Sequence, residues 1–291
     1  MQWQAAEPGA GASRRPVRAG KRESMRPQST MHALLGPSDP APVERYNAGG
    51  AAPVILLCDH AGRAIPQALG GLGVDAASLE RHVAWDIGAA EAARHLALRF
   101  DAPLVLSAYS RLVIDCNRRL DDPTSIPVSS DDVEVPGNRD LSDAARRARG
   151  VEIFQPYHRA IEEIIEATSA RGQVPAILSI HSCTPVFKGF VRPWHFGVLW
   201  NRDGRIAEPL MAGLARDPHV CVGDNQPYSA RNKHGYTLDT HAESRGLPHV
   251  LVELRQDLID THHGAADWAR RLGDALEPIL ADPRLYRAEK A

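Results

Sequence analysis

The stretch VILLCDHAGRAIP, residues 54–66, runs out of five apolar or thiol residues directly into Asp59 and His60. The first five residues read as a buried strand, and Gly62 and Pro66 punctuate the turn that follows. In α/β sheets the carboxyl ends of strands are where ligands bind. A histidine placed there marks His60 as a candidate site residue and the chain as a candidate α/β protein.

The same pattern recurs downstream. A helix is expected from Ala77 to Phe100, through GAAEAARHLALRF. APLVLSAYS (102–110) reads as a strand ending at Ser110-Arg111, and LVIDCNR (112–118) as another ending at Asn117-Arg118. Residues 121–140 are polar and proline-bearing, hence a long loop, and a helix from Leu141 to Arg171 follows with Ser142 as its cap. PAILSIHSCTP (175–185) delivers His181 at its end, and HFGVLWN (195–201) is a further strand. A helix from Ile206 to Arg216, the segment HVCVGDNQPYS, the strand PHVLVELRQDL with Glu253, and a helix from Gly264 to Leu280 complete the chain. Strands alternating with helices predict a three-layer α/β/α sandwich around a mixed, largely parallel sheet. No internal repeat is visible.

Composition agrees with a globular domain, at 43% hydrophobic and 24% charged residues. A formal net charge of −2 offers no global attraction to nucleic acid or acidic membranes. No apolar run approaches the roughly 18 residues of a membrane-spanning helix. Four scattered cysteines without a C-x-x-C pair suit a reduced cytoplasm. Residues 1–45 begin with a basic segment rich in Ala, Gly, Pro and Ser and are expected to be a disordered tail, leaving 46–291 as a single domain.

Chemistry-bearing residues gather at the strand ends: His60, Arg111, Asn117, Arg118, His181 and Glu253. Two histidines and a carboxylate form the ligand set of a catalytic zinc, with another divalent metal as the alternative. For the third ligand, RHVAWDIG (81–88), read as helix, puts His82 and Asp86 on one face. Asp86 is therefore preferred, with Asp59 and Glu253 as rivals. Asp59 adjoins His60, and neighbours on an extended chain point opposite ways, so a place behind the ligands suits it better. Glu253 is an acid inside an apolar strand, which is costly to bury unpaired. Within reach of a metal-bound water it is a general base. Arg111, Asn117 and Arg118 suit a substrate carboxylate, or, for the arginines, ion pairs with Asp115 or Asp121. His241 and Glu243 add a possible late acid or base, and Asn225, Pro227 and Tyr228 form a candidate pocket-lining turn. No dinucleotide, phosphate-loop or nucleophile-elbow motif is present.

CDHAGRAIP, HVAWDIGA, YSRLVIDCNR, IHSCTP, GDNQPYS and GLPHVLVELRQDLI, in this order from about Pro53 to Leu280, resemble the N-formylglutamate amidohydrolase family. The resemblance implies a phosphorylase/hydrolase-like fold similar to zinc carboxypeptidases and aspartoacylases. It implies hydrolysis of the N-formyl amide of glutamate to formate and glutamate, a step of histidine degradation. Carried over by position, His60 and His181 match the metal histidines and Glu253 the general base. Arg111, Asn117 and Arg118 match the substrate-carboxylate side. Carboxypeptidases take their acid ligand three residues after the first histidine, where this chain has Arg63, so the acid comes from elsewhere. Family members often carry PHSG where this chain has Asp59-His60-Ala61-Gly62. The expected partner is a small N-acyl amino acid, bound by a monomer or small homo-oligomer. A deacylase of another substrate and a non-catalytic binding protein are the alternatives.

Overall fold

In the computed structural model, which describes residues 33–231 and 235–289, seven strands form one sheet. They are β1 (Val43–Tyr46), β2 (Val54–Cys58), β3 (Leu104–Ser107), β4 (Ala176–Cys183), β5 (Phe196–Leu199), β6 (Val222–Asp224) and β7 (His249–Arg255). Their spatial order is β1-β3-β2-β4-β7-β5-β6. The four central strands, β3, β2, β4 and β7, run parallel. β1 is antiparallel to β3, and β5 is antiparallel to β7. The sheet is thus mixed and largely parallel, as expected.

Alternation along each strand separates two cores. Val54, Leu56, Leu178, Ile180 and Val252 face α2 (Ala89–Phe100), α5 (Ala207–Leu214) and α7 (His262–Leu280). Ile55, Leu57, Val105 and Ile177 face α4 (Gln155–Ala170). Towards the carboxyl ends of the strands this second face turns polar, because Ser179 and His181 continue the row of Ile177. Glu253 extends the same face of β7. On this face, then, Ile177 precedes His181 along β4, and Leu251 precedes Glu253 along β7.

Three expectations are corrected. Residues 80–88 are not helical: the one-turn α1 (Ala76–Leu79) ends there, and α2 starts only after Gly88. Gly88 is left-handed (φ 77°), and a Cβ on it would meet the Ile259 carbonyl oxygen at 2.0 Å. Residues 112–116 are buried, but the segment 112–118 forms turns, not a strand. The place beside β3 is taken by β1, with Val43 opposite Ser107. The backbone of the segment is satisfied by turn hydrogen bonds and by side chains: the Asp115 amide donates to the Ser125 carbonyl at 2.7 Å, Asn138 Nδ2 to the Leu112 carbonyl at 2.8 Å, and Arg149 Nη1 to that of Val113 at 2.9 Å.

The third correction concerns the domain's start. Residues 1–32, which hold the basic part of the expected tail, lie outside the described residues. Residues 33–45 belong to the fold: Leu34 is buried, the Leu34 and Leu35 amides donate to Glu152 at 2.8 and 2.9 Å, and β1 is an edge strand. The long helix after residue 141 is α3 (Asp143–Arg149), a π-helical turn and α4 in sequence. Ser142 caps it by accepting from the Ala145 amide at 3.2 Å. Thr237–His241 forms the short α6. No described helix is long and apolar enough to cross a membrane.

Candidate active site

His181 and Glu253 are register partners in the parallel pair of β4 and β7, so they project side by side from one face. Opposite Glu253 on its other side is Gly197 of β5, where a Cβ would meet the Gln226 carbonyl oxygen at 2.0 Å. Glycine there lets the 225–228 turn close over the sheet. His60 follows β2, and Asp86 sits in the loop before α2. The Asp86 amide donates to the His60 carbonyl at 2.9 Å, which pins one loop to the other. Ser110 Oγ donates to the Ala84 carbonyl at 2.8 Å and extends the clamp.

These placements bring His60, Asp86 and His181 together, all buried. Asp86 Oδ2 is 2.8 Å from His181 Nδ1 and 3.5 Å from His60 Nδ1. The far nitrogen of each ring meets a different carboxylate: His60 Nε2 is 2.7 Å from Asp115, and His181 Nε2 is 2.9 Å from Asp59. Asp59 in turn accepts from Thr237 Oγ1 at 2.6 Å and Ser179 Oγ at 3.1 Å. Asp115 accepts from the Asn117 amide at 2.8 Å. Arg111 is ion-paired to Asp86. His60 Nδ1 is buried, faces Asp86 and has no hydrogen-bond partner; the same holds for Glu253 Oε2 within the site.

The electrostatics follow from this packing. Burial pushes the carboxyls of Asp59, Asp86 and Asp115 upward, but the surrounding histidines and Arg111 outweigh it and hold all three low. Burial likewise opposes charge on His181, yet its hydrogen bonds to Asp59 and Asp86 raise it well above an ordinary imidazole. Burial and Arg111 oppose charge on His60, and Asp115 and Asp86 overcome them. Glu253 behaves differently: burial, opposed by His181, pushes it up to about 7. One carboxyl of the cluster is thus poised near neutrality while the others stay ionised.

A cavity of about 540 Å³ opens onto this cluster. His60, Asp86, His181 and Glu253 line it together with Arg111, Asn117, Arg118, Asn225 and Tyr228. Asn117 Oδ1 accepts from the Tyr236 and Thr237 amides at 2.8 and 3.0 Å, holding the entry to α6. Asn225 Oδ1 accepts from the Ala230 amide at 3.0 Å and braces its turn. The Tyr228 hydroxyl accepts from Arg192 Nη2 at 3.2 Å. His82 also lines the cavity, but 3.6 Å from Asp131 rather than beside Asp86 on a helix face.

His241 is the sequence candidate that the fold places elsewhere. It stacks on His158, with 2.9 Å between His241 Nε2 and His158 Nδ1, and does not line the cavity. Its short helix packs that face inward against α4. Glu243 accepts from Asn201 Nδ2 and Arg202 Nε, outside the cavity lining.

Against this geometry, a model of the family described as N-formylglutamate amidohydrolase matches residues 52–260. The chain belongs to the N-formylglutamate amidohydrolase family. It is an amidohydrolase, acting on C–N amide bonds of a small-molecule substrate. Among solved structures it is similar to the gene product Atu2144 from Agrobacterium tumefaciens, at 38% identity and a TM-score of 0.82, covering 85% of this chain and 98% of that one. It is also similar in fold to an N-formylglutamate amidohydrolase from Ralstonia eutropha JMP134, at 20% identity and a TM-score of 0.57, covering 82% and 97%. No curated protein matches.

Two members of the site of this family chain were missed by reading the sequence. By sequence Asp115 reads only as a partner for an arginine, and Thr237 does not stand out. Asp115 carried the same signal as Glu253, an acid in the apolar run LVIDC. Thr237 carried none, because its contact with Asp59 spans 178 positions.

Proposed function

We propose that this chain hydrolyses the N-formyl amide of glutamate, or another small N-acyl amide of a carboxylated amino acid. His60, Asp86 and His181 would hold a divalent metal, zinc first. The observation that carries this reading is the arrangement of the two rings: both Nδ1 atoms face Asp86, while Asp115 holds the Nε2 of His60 and Asp59 that of His181. Carboxylate–histidine pairs of this kind orient metal-binding imidazoles and raise their basicity. The unpartnered, buried Nδ1 of His60 supports the fit, since such an atom is costly to leave unsatisfied. Two nitrogens and one oxygen are the donor set of catalytic zinc. Bound there, the ion lowers the pKa of water and polarises the amide carbonyl.

The chain's own residues do the rest. Glu253, poised near neutrality, takes a proton from the attacking water and passes it to the departing amine nitrogen. Asp59 and Asp115 keep the two imidazoles oriented. Arg118 and Arg111 offer guanidinium donors to substrate carboxylates at the cavity wall. The Nε of Arg111 is buried without a hydrogen-bond partner, which leaves that donor to a ligand. Such a reaction would belong to the breakdown of histidine, and the free cysteines would suit a cytoplasmic setting.

The test is a panel of N-acyl amino acids assayed with metal content measured in parallel. Turnover of N-formylglutamate with roughly one zinc in the His60–Asp86–His181 site supports the proposal. Turnover only of larger acyl groups assigns a different deacylase, and full activity without metal overturns the metal site.

A further inference from the structure

Glu91 and His95 stand one turn apart on α2, and His262 opens α7 beside them. His262 Nδ1 is 2.8 Å and His95 Nε2 3.3 Å from the same oxygen, Glu91 Oε1. One donor atom from each residue lies within 4.8 Å of the other two. A tetrahedral ion about 2.1 Å from each donor spaces its ligands about 3.4 Å apart, so these atoms need only small side-chain adjustments. His95 Nε2 is shielded from solvent and has no hydrogen-bond partner. The two rings are tilted, not stacked, with centroids 5.6 Å apart. The neighbouring cation of Arg94 is taken up by Glu44, at 2.8 and 3.0 Å.

From this geometry we infer that Glu91, His95 and His262 form a second metal site, selective for a borderline transition ion such as Zn²⁺ or Ni²⁺. Two imidazoles favour such ions over Mg²⁺ or Ca²⁺, which take oxygen donors. The i, i+4 pair on α2 supplies a chelate, and His262 ties the start of α7 to it. His262 is 82% exposed, so water completes the coordination and the ion exchanges freely. The site shares no residue with the catalytic cluster, so its role is to clamp the packed α2–α7 pair.

The test titrates Ni²⁺ into the metal-free, untagged full chain by calorimetry, alongside His262→Ala and Glu91→Gln. The wild type is expected to take roughly two equivalents and each variant roughly one. The rise in unfolding temperature produced by the second equivalent disappears in both variants, while amide hydrolysis is unchanged in His262→Ala. Titration curves for both variants identical to the wild type overturn the proposal. A His60→Ala/His181→Ala chain separates the two sites. If it still takes an equivalent that His262→Ala then removes, the helix site stands, whatever the fate of the catalytic one.

Discussion

Glu253 lies directly across from His181 in the parallel register of β4 and β7, and both side chains leave the sheet on the α4 face. That pairing fixes an acid that burial pushes up to about 7 beside the imidazole of His181, within one strand spacing. Glu253→Gln preserves the shape and the burial but removes the proton acceptor. Turnover should fall by about 10²–10⁴-fold with metal content unchanged. Near-normal kcat in a metal-loaded variant would exclude Glu253 as the base.

In the proposed metal site Asp115 would act only through His60, whose Nε2 it holds at 2.7 Å. Asp115→Asn keeps a hydrogen-bond acceptor but not the charge, so metal affinity should weaken by about 10–100-fold. Added zinc should then recover activity. Competition with a chromophoric chelator reads the affinity, and an unchanged Kd counts against the pairing.

His158 and His241 are both buried, and burial depresses each from 6.5 to about 4. The unfolded chain therefore binds more protons between these values than the folded one. Stability is intact above pH 6.5 and is lost as pH falls through that window, by about 3 kcal/mol per histidine if each titrates alone. In urea unfolding at several pH values, His158→Phe with His241→Leu should show a shallower acid loss between pH 6.5 and 4. An unaltered slope refutes the assignment.

Gly197→Ala inserts a methyl group against the Gln226 carbonyl at 2.0 Å and the Glu253 Cβ at 3.3 Å. The backbone must shift, at a cost of about 1–3 kcal/mol. Because the shift moves the 225–228 turn and Glu253 together, kcat should drop along with the unfolding temperature. A fully stable, fully active variant would mean that the turn accommodates the methyl freely.

Removal of metal tests the site as a whole. Chelation should abolish hydrolysis, and zinc should restore it. Zinc should also raise the free energy of unfolding, by about 4 kcal/mol at a thousand times its Kd. Measured in the His262→Ala background, that gain belongs to the His60–Asp86–His181 cluster alone.

Much of this was legible in the residues. Runs such as VILLC and AILSI read as buried strands, being short, aliphatic and bounded by turn residues, and His60 and His181 follow from where those runs stop. Glu253 announced itself as an acid in an apolar strand. The helical spacing that points to Asp86 is absent from the fold: α2 starts only after Gly88, and the loop is held by the His60 carbonyl instead. LVIDCNR has the composition of a strand, but the place beside β3 is taken by β1.

By itself, then, the sequence determined the layers, the strands and the polar groups at their ends, because burial and periodicity are local properties of a chain. Only the tertiary structure decided which acid faces which ring. The contacts of Asp59 with His181, Asp115 with His60 and Thr237 with Asp59 join positions 122, 55 and 178 residues apart. Such partners are chosen by how strands order themselves and where loops close, and no short-range pattern encodes that choice. For the same reason His241, plausible by residue type, was turned against His158, out of the cavity lining, by the helix that carries it.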